Sequence, residues 1–290
     1  MNFSQKITPK VDIAFKKLFG VEENKDLLIS LINSIVDEAD QVSEVTLLNP
    51  YNPQNFRSDK LSIFDIKAKG INGKLFDIEI QIADEADYDK RVLFYWGRLY
   101  TGQLKSGSDY GSLNKAIGIH ILNFFLTSAN YNSPKYHNSF HLTEKELGFQ
   151  YFSDLEIHII ELKKFSDDKT DLTSLLSKVK TKLDQWVTFL TQNDLLDKDN
   201  LPLQLTEVPL KKAIQVLEVM NFDDTEREFY EDHLKWLRIE ANSLKKAEMK
   251  GEEKRNIEIA KNLLAKKMNP DFISEVTGLT EEEIQKIKSN

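Results

Sequence analysis

The stretch LSIFDIKAKGINGKLFDIEIQIA, residues 61–83, decides the fold. In its second half Phe76, Ile78, Ile80 and Ile82 alternate with Leu75, Asp77, Glu79 and Gln81. Successive side chains of a strand point to opposite faces, so Lys74–Ile82 reads as a strand with one apolar face against helices and a polar face outward. Leu61–Lys69 repeats the pattern, with Phe64, Ile66 and Ala68 on one parity and Asp65 and Lys67 on the other. Gly70, Asn72 and Gly73 between them are turn residues, which makes the pair a hairpin. If the apolar faces coincide, one register sets Asp65 opposite Glu79, Lys67 opposite Asp77 and Ile63 opposite Gln81. Another register of the same parity slides the pair by two residues.

Outward from the hairpin, helical and strand patterns alternate. Ile7–Phe19 and Lys25–Val36 have helical periodicity, the second with Leu27, Leu28, Leu31, Ile32 and Ile35 on one stripe. Val45–Leu48 is a short strand. Asp89–Lys105 is an aromatic-rich helix, with Phe94 and Trp96 as its core candidates. The apolar run Ala116–Phe124 is too short to span a membrane and reads as a buried strand. A further β region covers His137–Leu162. After Phe165 helical patterns dominate. The expected organisation is residues 1–165 as an α/β domain with a mixed central sheet, 166–250 as a helical extension, and 251–290 as a small helical tail.

Composition bounds the chemistry. The 290 residues hold 39 Lys and Arg against 47 Asp and Glu, a net charge of −8, and no cysteine. Thiol nucleophiles, disulfides, iron–sulfur clusters and Cys-based zinc sites are excluded together. The acidic balance, spread along the chain, argues against binding nucleic acid by bulk attraction, but not against one local groove. The N-terminus has no apolar leader pattern, and the expected location is the cytoplasm. Of the histidines, His137 and His141 come closest in sequence, and no third zinc ligand accompanies them. Nucleotide-loop and serine-hydrolase motifs are absent from the sequence.

Two carboxylates opposite each other on a hairpin repel. Two arrangements relieve this. Either the polar face is solvated, with Lys67 and Lys69 neutralising the acids and Asp77 paired with Lys67, or a hard divalent cation such as Mg²⁺ lies between Asp65 and Glu79.

Asp65, followed on the paired strand by Glu79-Ile80-Gln81, resembles the core of the PD-(D/E)XK nucleases, with Gln where the general motif has Lys. The surroundings narrow the resemblance to the recombination-promoting nuclease (Rpn) and transposase family. They are DIAFKKLFG from Asp12 to Gly20, Ser58-Asp59-Lys60 before the Asp65 strand, and the run of Arg91, Tyr95, Tyr100, Gly107 and Tyr110 into Ile117.

The resemblance implies a restriction-endonuclease-like mixed sheet flanked by helices, and metal-dependent cleavage of DNA linked to recombination and mobile elements. It implies Asp65 and Glu79 as metal ligands with the Ile80 carbonyl as a third, Mg²⁺ as cofactor with Mn²⁺ able to substitute, and Gln81 in the lysine position. An ammonium stabilises deprotonation of water, whereas an amide only hydrogen-bonds, so Gln81 is expected to orient the attacking water. Lys67, on the same face, either replaces that ammonium or is an ordinary paired lysine. Asp12 either adds a metal-site acid or is a first-turn acid favoured by the helix dipole. Lys60 either contacts phosphate or pairs within its loop. Arg91, Tyr95 and Arg98 share a helical face and either position the DNA backbone or pack as ordinary snorkelling side chains.

The tail has a helix-turn-helix rhythm, with a Thr280–Glu283 capping box and Gly278 at the turn. Ile257, Leu264, Ile273, Val276, Leu279, Ile284 and Ile287 are its expected apolar closure. Its last helix opens on Glu281-Glu282-Glu283, which phosphates repel, so homo-oligomer formation or docking is the expected role. The alternative to an Mg²⁺-dependent endonuclease is a catalytically inactive, nuclease-derived binding or interaction protein.

Overall fold

The structure, a computed structural model, describes residues 6–51, 65–82, 87–126, 131–166 and 170–289. Lys60, with Ser58, Asp59 and the first residues of the expected Asp65 strand, lies outside the described residues. The chain divides into two compact units, Met1–Glu231 and Asp232–Asn290.

The first unit opens with α1 (Asp12–Phe19) and α2 (Lys25–Ile35). Strands β1 (Val45–Leu47), β2 (Ile66–Gly70) and β3 (Leu75–Gln81) follow. Helix α3 (Tyr88–Thr101) leads to β4 (Ala116–Leu122), and β5 (His137–Thr143) turns into β6 (Gln150–Glu161). Helices α4 (Leu162–Phe165), α5 (Leu172–Lys178), α6 (Lys182–Gln192) and α7 (Val208–Val219) complete the unit, and α8 (Asp224–Ala265) begins in it.

The six strands form one mixed sheet in the order β1-β2-β3-β4-β6-β5. β1, β2 and β3 run antiparallel, β3, β4 and β6 parallel, and β5 antiparallel to β6. The hairpin adopts the register read from parity: Ile66 faces Ile78, Lys67 faces Asp77 and Ala68 faces Phe76. Asp65 stands one residue before β2. Gly73 makes the turn at φ +85°, where a side chain would be strained.

One sheet face, bearing Ile66, Phe76, Ile78, Ile80, Ile117, Ile119 and Ile121, packs against Phe15, Phe19, Leu27 and Leu31 of α1 and α2. Trp186 and Phe189 of α6 join the same core, and Thr181 holds the start of that helix in a capping box with Asp184. The opposite face does not point outward as the alternation suggested. Helix α3 covers it: Leu99 packs on Leu75 and Ala116, and Tyr88 and Val92 pack with Leu122, Ile157 and Ile159. Asp77 and Glu79 are therefore only 4% and 8% exposed. The buried stripe of α3 runs through Tyr88, Val92 and Leu99, with Trp96 partly buried beside it. Phe94, expected in the core, lies off that stripe and is 61% exposed.

In the second unit α9 (Pro270–Thr277) and α10 (Glu281–Ser289) close on Ala260 of α8 through Ile273 and Ile284, with Leu264, Leu279 and Ile287 packed around them. Asn269 caps α9, and Gly278 ends it in the left-handed region. Thr280 and Glu283 exchange the bonds of the capping box. Val276, expected in this closure, is 51% exposed, because it falls on the outer side of the short α9.

Phe19 is fully buried against Phe15 and Trp186, with ring centroids 4.8 and 5.4 Å away. Phe19→Ala is expected to cost about 3–5 kcal/mol, read as a lower urea midpoint at unchanged slope.

Candidate active site

The acid-bearing ends of β2 and β3 are held by groups from distant parts of the chain. Lys16 of α1 is buried, and its Nζ donates to the carbonyls of Asn49 and Asp65, each at 2.6 Å. Burial lowers the Lys16 ammonium to about 8, against the opposing pull of Asp65. Asn49 extends the clamp: its Nδ2 donates to Asp65 Oδ1 at 3.2 Å and its Oδ1 accepts the Lys67 N–H at 2.7 Å. Neither Lys16 nor Asn49 stood out in the sequence as a site residue. The available signal was a lysine in the midst of the apolar α1 pattern.

The carboxylates share the face beneath α3. Lys67 Nζ meets Asp65 Oδ2 at 2.6 Å, not its cross-strand neighbour Asp77. The expected Asp77–Lys67 pair is thus replaced by a Lys67–Asp65 pair within β2 and the residue before it. Asp77 Oδ1 is buried without a hydrogen-bond partner among the described residues. Burial, and then the charge of Asp65, lift the Asp77 carboxyl to about 7. Glu79 accepts from Arg91 Nη2 at 2.5 Å. Burial raises Glu79 to about 7 as well; Arg91 opposes the rise, while the charges of Asp65 and Asp12 add to it. Asp12 thus lies near enough to act on Glu79 electrostatically.

Beside Glu79, in register on β4, stands His120, fully buried. Burial, with Arg91 nearby, lowers its imidazole to about 3, so it is neutral at ordinary pH. Its Nδ1 lies 3.7 Å from Glu79 Oε2 and hydrogen-bonds the Tyr88 hydroxyl at 3.2 Å. With a neutral ring the approach to Glu79 is a dipolar contact and not an ion pair. Gly118 makes room for the ring: a Cβ there would stand 3.1 Å from His120 Nε2.

Of the other residues singled out, Ile80 is buried in β3, and Gln81 at the end of that strand shares the Glu79 face. Arg91 turns inward to Glu79 and lies over the Tyr95 and Tyr88 rings, at 5.4 and 6.0 Å. Arg98 lies over Phe94 and meets no carboxylate among the described residues. His137 pairs not with His141 but with His158, at 2.9 Å on the other sheet face, where His158 meets Glu156.

Among the described residues no group of three or more His, Asp or Glu side chains is arranged to hold a metal ion as it stands. The donor chemistry fits a hard divalent cation nonetheless. Asp65 and Glu79 offer carboxylate oxygens on one face, and Asp77 keeps a buried oxygen unsatisfied. In this structure Asp65 is paired with Lys67 and Glu79 with Arg91.

A mixed sheet flanked by helices, with paired acids on neighbouring strands near its middle, defines a restriction-endonuclease-like nuclease fold. Residues 9–247 match the model of the PD-(D/E)XK nuclease family transposases, and the chain belongs to that family. Residues 253–289 match the C-terminal HTH domain of the Rpn/YhgA-like nuclease family. No match is found among curated proteins or among solved structures. Among the described residues no helix is long and apolar enough to cross a membrane.

The Asp77 shift has a testable sign. In the folded chain its carboxyl stays protonated up to about pH 7, in the unfolded chain only to about pH 4. Ionising it therefore costs folded-state stability increasingly between pH 4 and 7, and fully above. Asp77→Asn is expected to stabilise the protein by about 1–3 kcal/mol at pH 8 and much less at pH 4, measured by urea denaturation at both values.

Proposed function

We propose that the chain is a metal-dependent DNA endonuclease that hydrolyses phosphodiester bonds. The observation that carries this reading is the buried, partly unsatisfied carboxylate face of β2 and β3, in a chain of the PD-(D/E)XK nuclease family transposases. Like charges are not retained in such burial for stability, since each costs the fold energy. Perturbed acids packed together are the mark of a working site.

In this reading Asp65, Glu79 and the Ile80 carbonyl would hold Mg²⁺ or Mn²⁺, with Asp12 close enough to add charge. Such an ion supplies Lewis acidity at the phosphoryl oxygen and makes water a better nucleophile. The protein's own groups do the remainder. Gln81, two residues beyond Glu79 on the same face, orients the attacking water through its amide. Lys16 and Asn49 fix the backbone of Asp65, so that its carboxylate keeps its position when Lys67 lets go. Arg91, which pairs with Glu79 and lies over Tyr95, would be the guanidinium available to a DNA phosphate once Glu79 is otherwise neutralised. Arg98 and Lys60 complete the cationic set that positions the backbone without reading bases.

The domain arrangement is proposed as a nuclease module with a helical extension and a terminal helical tail. The Glu281–Glu283 run at the start of α10 favours self-association or docking over base reading for that tail.

The Lys67–Asp65 and Glu79–Arg91 pairs, together with Gln81, favour a second reading: a nuclease-derived protein that binds DNA or a partner without cutting. Plasmid assays separate the two. Purified protein is expected to nick supercoiled DNA with Mg²⁺ or Mn²⁺ and not in EDTA. Asp65→Ala and Glu79→Ala should each lower the rate at least 100-fold, with the fold checked by circular dichroism. Equal nicking by wild type and both variants contradicts the endonuclease reading. DNA binding with no nicking under any metal supports the second.

A further inference from the structure

Next to the carboxylate face lies an open cleft of about 520 Å³, between the outer part of β2 and the C-terminal half of α3. Lys67, Lys69 and Arg98 line it together with Leu48, Gln103 and Asn114. Lys67 and Lys69 alternate along β2 on the parity of Asp65, and Arg98 faces them from α3. Arg98 is near enough to Lys67 for the two charges to repel. Lys67 is balanced by Asp65, whereas Lys69 and Arg98 meet no carboxylate among the described residues.

Three cations around one cleft are costly in isolation, and more notable in a chain whose net charge is −8. The wall beside them is stiff. Gln103 Oε1 accepts from the Asn114 N–H at 2.9 Å, while Gln103 Nε2 donates to the Asn114 carbonyl at 2.9 Å. Those amides satisfy each other, which leaves the cations to set the ligand's chemistry. Leu48, 47% exposed, offers an apolar edge of the size of a sugar face.

The geometry points to a phosphodiester subsite: Lys69 and Arg98 grip one backbone phosphate of the DNA strand whose neighbouring linkage lies at Asp65. This inference rests on the endonuclease reading for the identity of the strand and adds the residues that seat it. Lys69 lies four residues beyond Asp65, about 13 Å at the rise of a β-strand. One DNA strand advances about 3.4 Å per phosphate along the duplex, so the gripped phosphate lies within about four nucleotides of the reacting one. The contact positions the strand through its phosphate, because the groups that make it are cations and the side-chain amide of Gln103 is taken up by the Asn114 backbone. Lys69 is the residue that neither the acid motif nor the α3 pattern singles out.

The test is binding of a fluorescently labelled 20-base-pair duplex in EDTA, by anisotropy across a series of salt concentrations. The double variant Lys69→Gln, Arg98→Gln is expected to bind about tenfold more weakly and to lower the salt slope by about 0.9, the equivalent of the one phosphate contact. Lys90→Gln, whose lysine is exposed and pairs with Asp87, should match wild type. Thermal melts establish that the variants are folded, and Lys69→Glu alone should weaken binding further than Lys69→Gln. A wild-type slope in the double variant overturns the subsite, as does absence of duplex binding by wild type. Thymidine monophosphate binding as tight as the duplex also overturns it, in favour of a free-nucleotide pocket. Because no metal is present, these outcomes are independent of nicking. A protein that binds as expected but never cuts keeps the subsite and loses the endonuclease reading.

Discussion

Mutual repulsion among Asp65, Asp77 and Glu79, crowded on one face of a two-stranded ribbon and roofed by α3, is the constraint to which the rest of the first unit is fitted. Three cations restrain it from three directions. Lys16 reaches across from α1, Lys67 from the same strand and Arg91 from the roofing helix. The containment is incomplete, because Asp77 and Glu79 both stay near 7 and Asp77 keeps an unsatisfied oxygen. Buried carboxyls poised in this way cost stability, and a fold keeps them where a counter-charge arrives during function.

The same constraint explains the architecture around the site. β3 lies between antiparallel β2 and parallel β4, so its acids are flanked by Lys67 on one side and His120 on the other. Gly118 admits the imidazole, burial keeps it neutral beside Glu79, and Tyr88 hydrogen-bonds its Nδ1. The apolar face of the sheet, packed on α1, α2 and α6, gives the rigid backing that holds like charges at fixed separation. Arg91 and Arg98, two turns apart on α3, then divide the work. One neutralises an acid, and the other looks into the cationic cleft.

Much of this was legible in the residues themselves. The alternation through Phe76, Ile78 and Ile80 and the matching parity of Ile66 and Ala68 narrowed the hairpin to registers of one parity, and the structure adopts the one that places Asp65 near Glu79. The apolar run at Ala116 marked the central parallel strand. What alternation could not reveal is which face would be covered. The polar parity of β3 looks like a solvent face, and only the packing of α3 across Leu75, Ala116 and Ile157 turns it inward. For the same reason Phe94, well placed by composition, faces outward. Contacts between residues distant in the chain were hidden as well. The Lys16 and Asn49 clamp spans 49 and 16 residues from Asp65, and no local spacing announces it. In the second unit, the caps at Asn269, Gly278 and Thr280 were readable because capping is a local exchange of hydrogen bonds.

The proposed function turns on whether the β2–β3 carboxylate face, with Asp65 paired to Lys67 and Glu79 to Arg91, takes up a divalent ion. Isothermal titration of Mn²⁺ into the whole chain at pH 7.5 tests it without reference to DNA cleavage. A single binding event is expected in the wild type and is expected to disappear in Glu79→Gln and in Asp65→Asn. Absence of Mn²⁺ binding in the wild type, or binding that both variants retain unchanged, would contradict it.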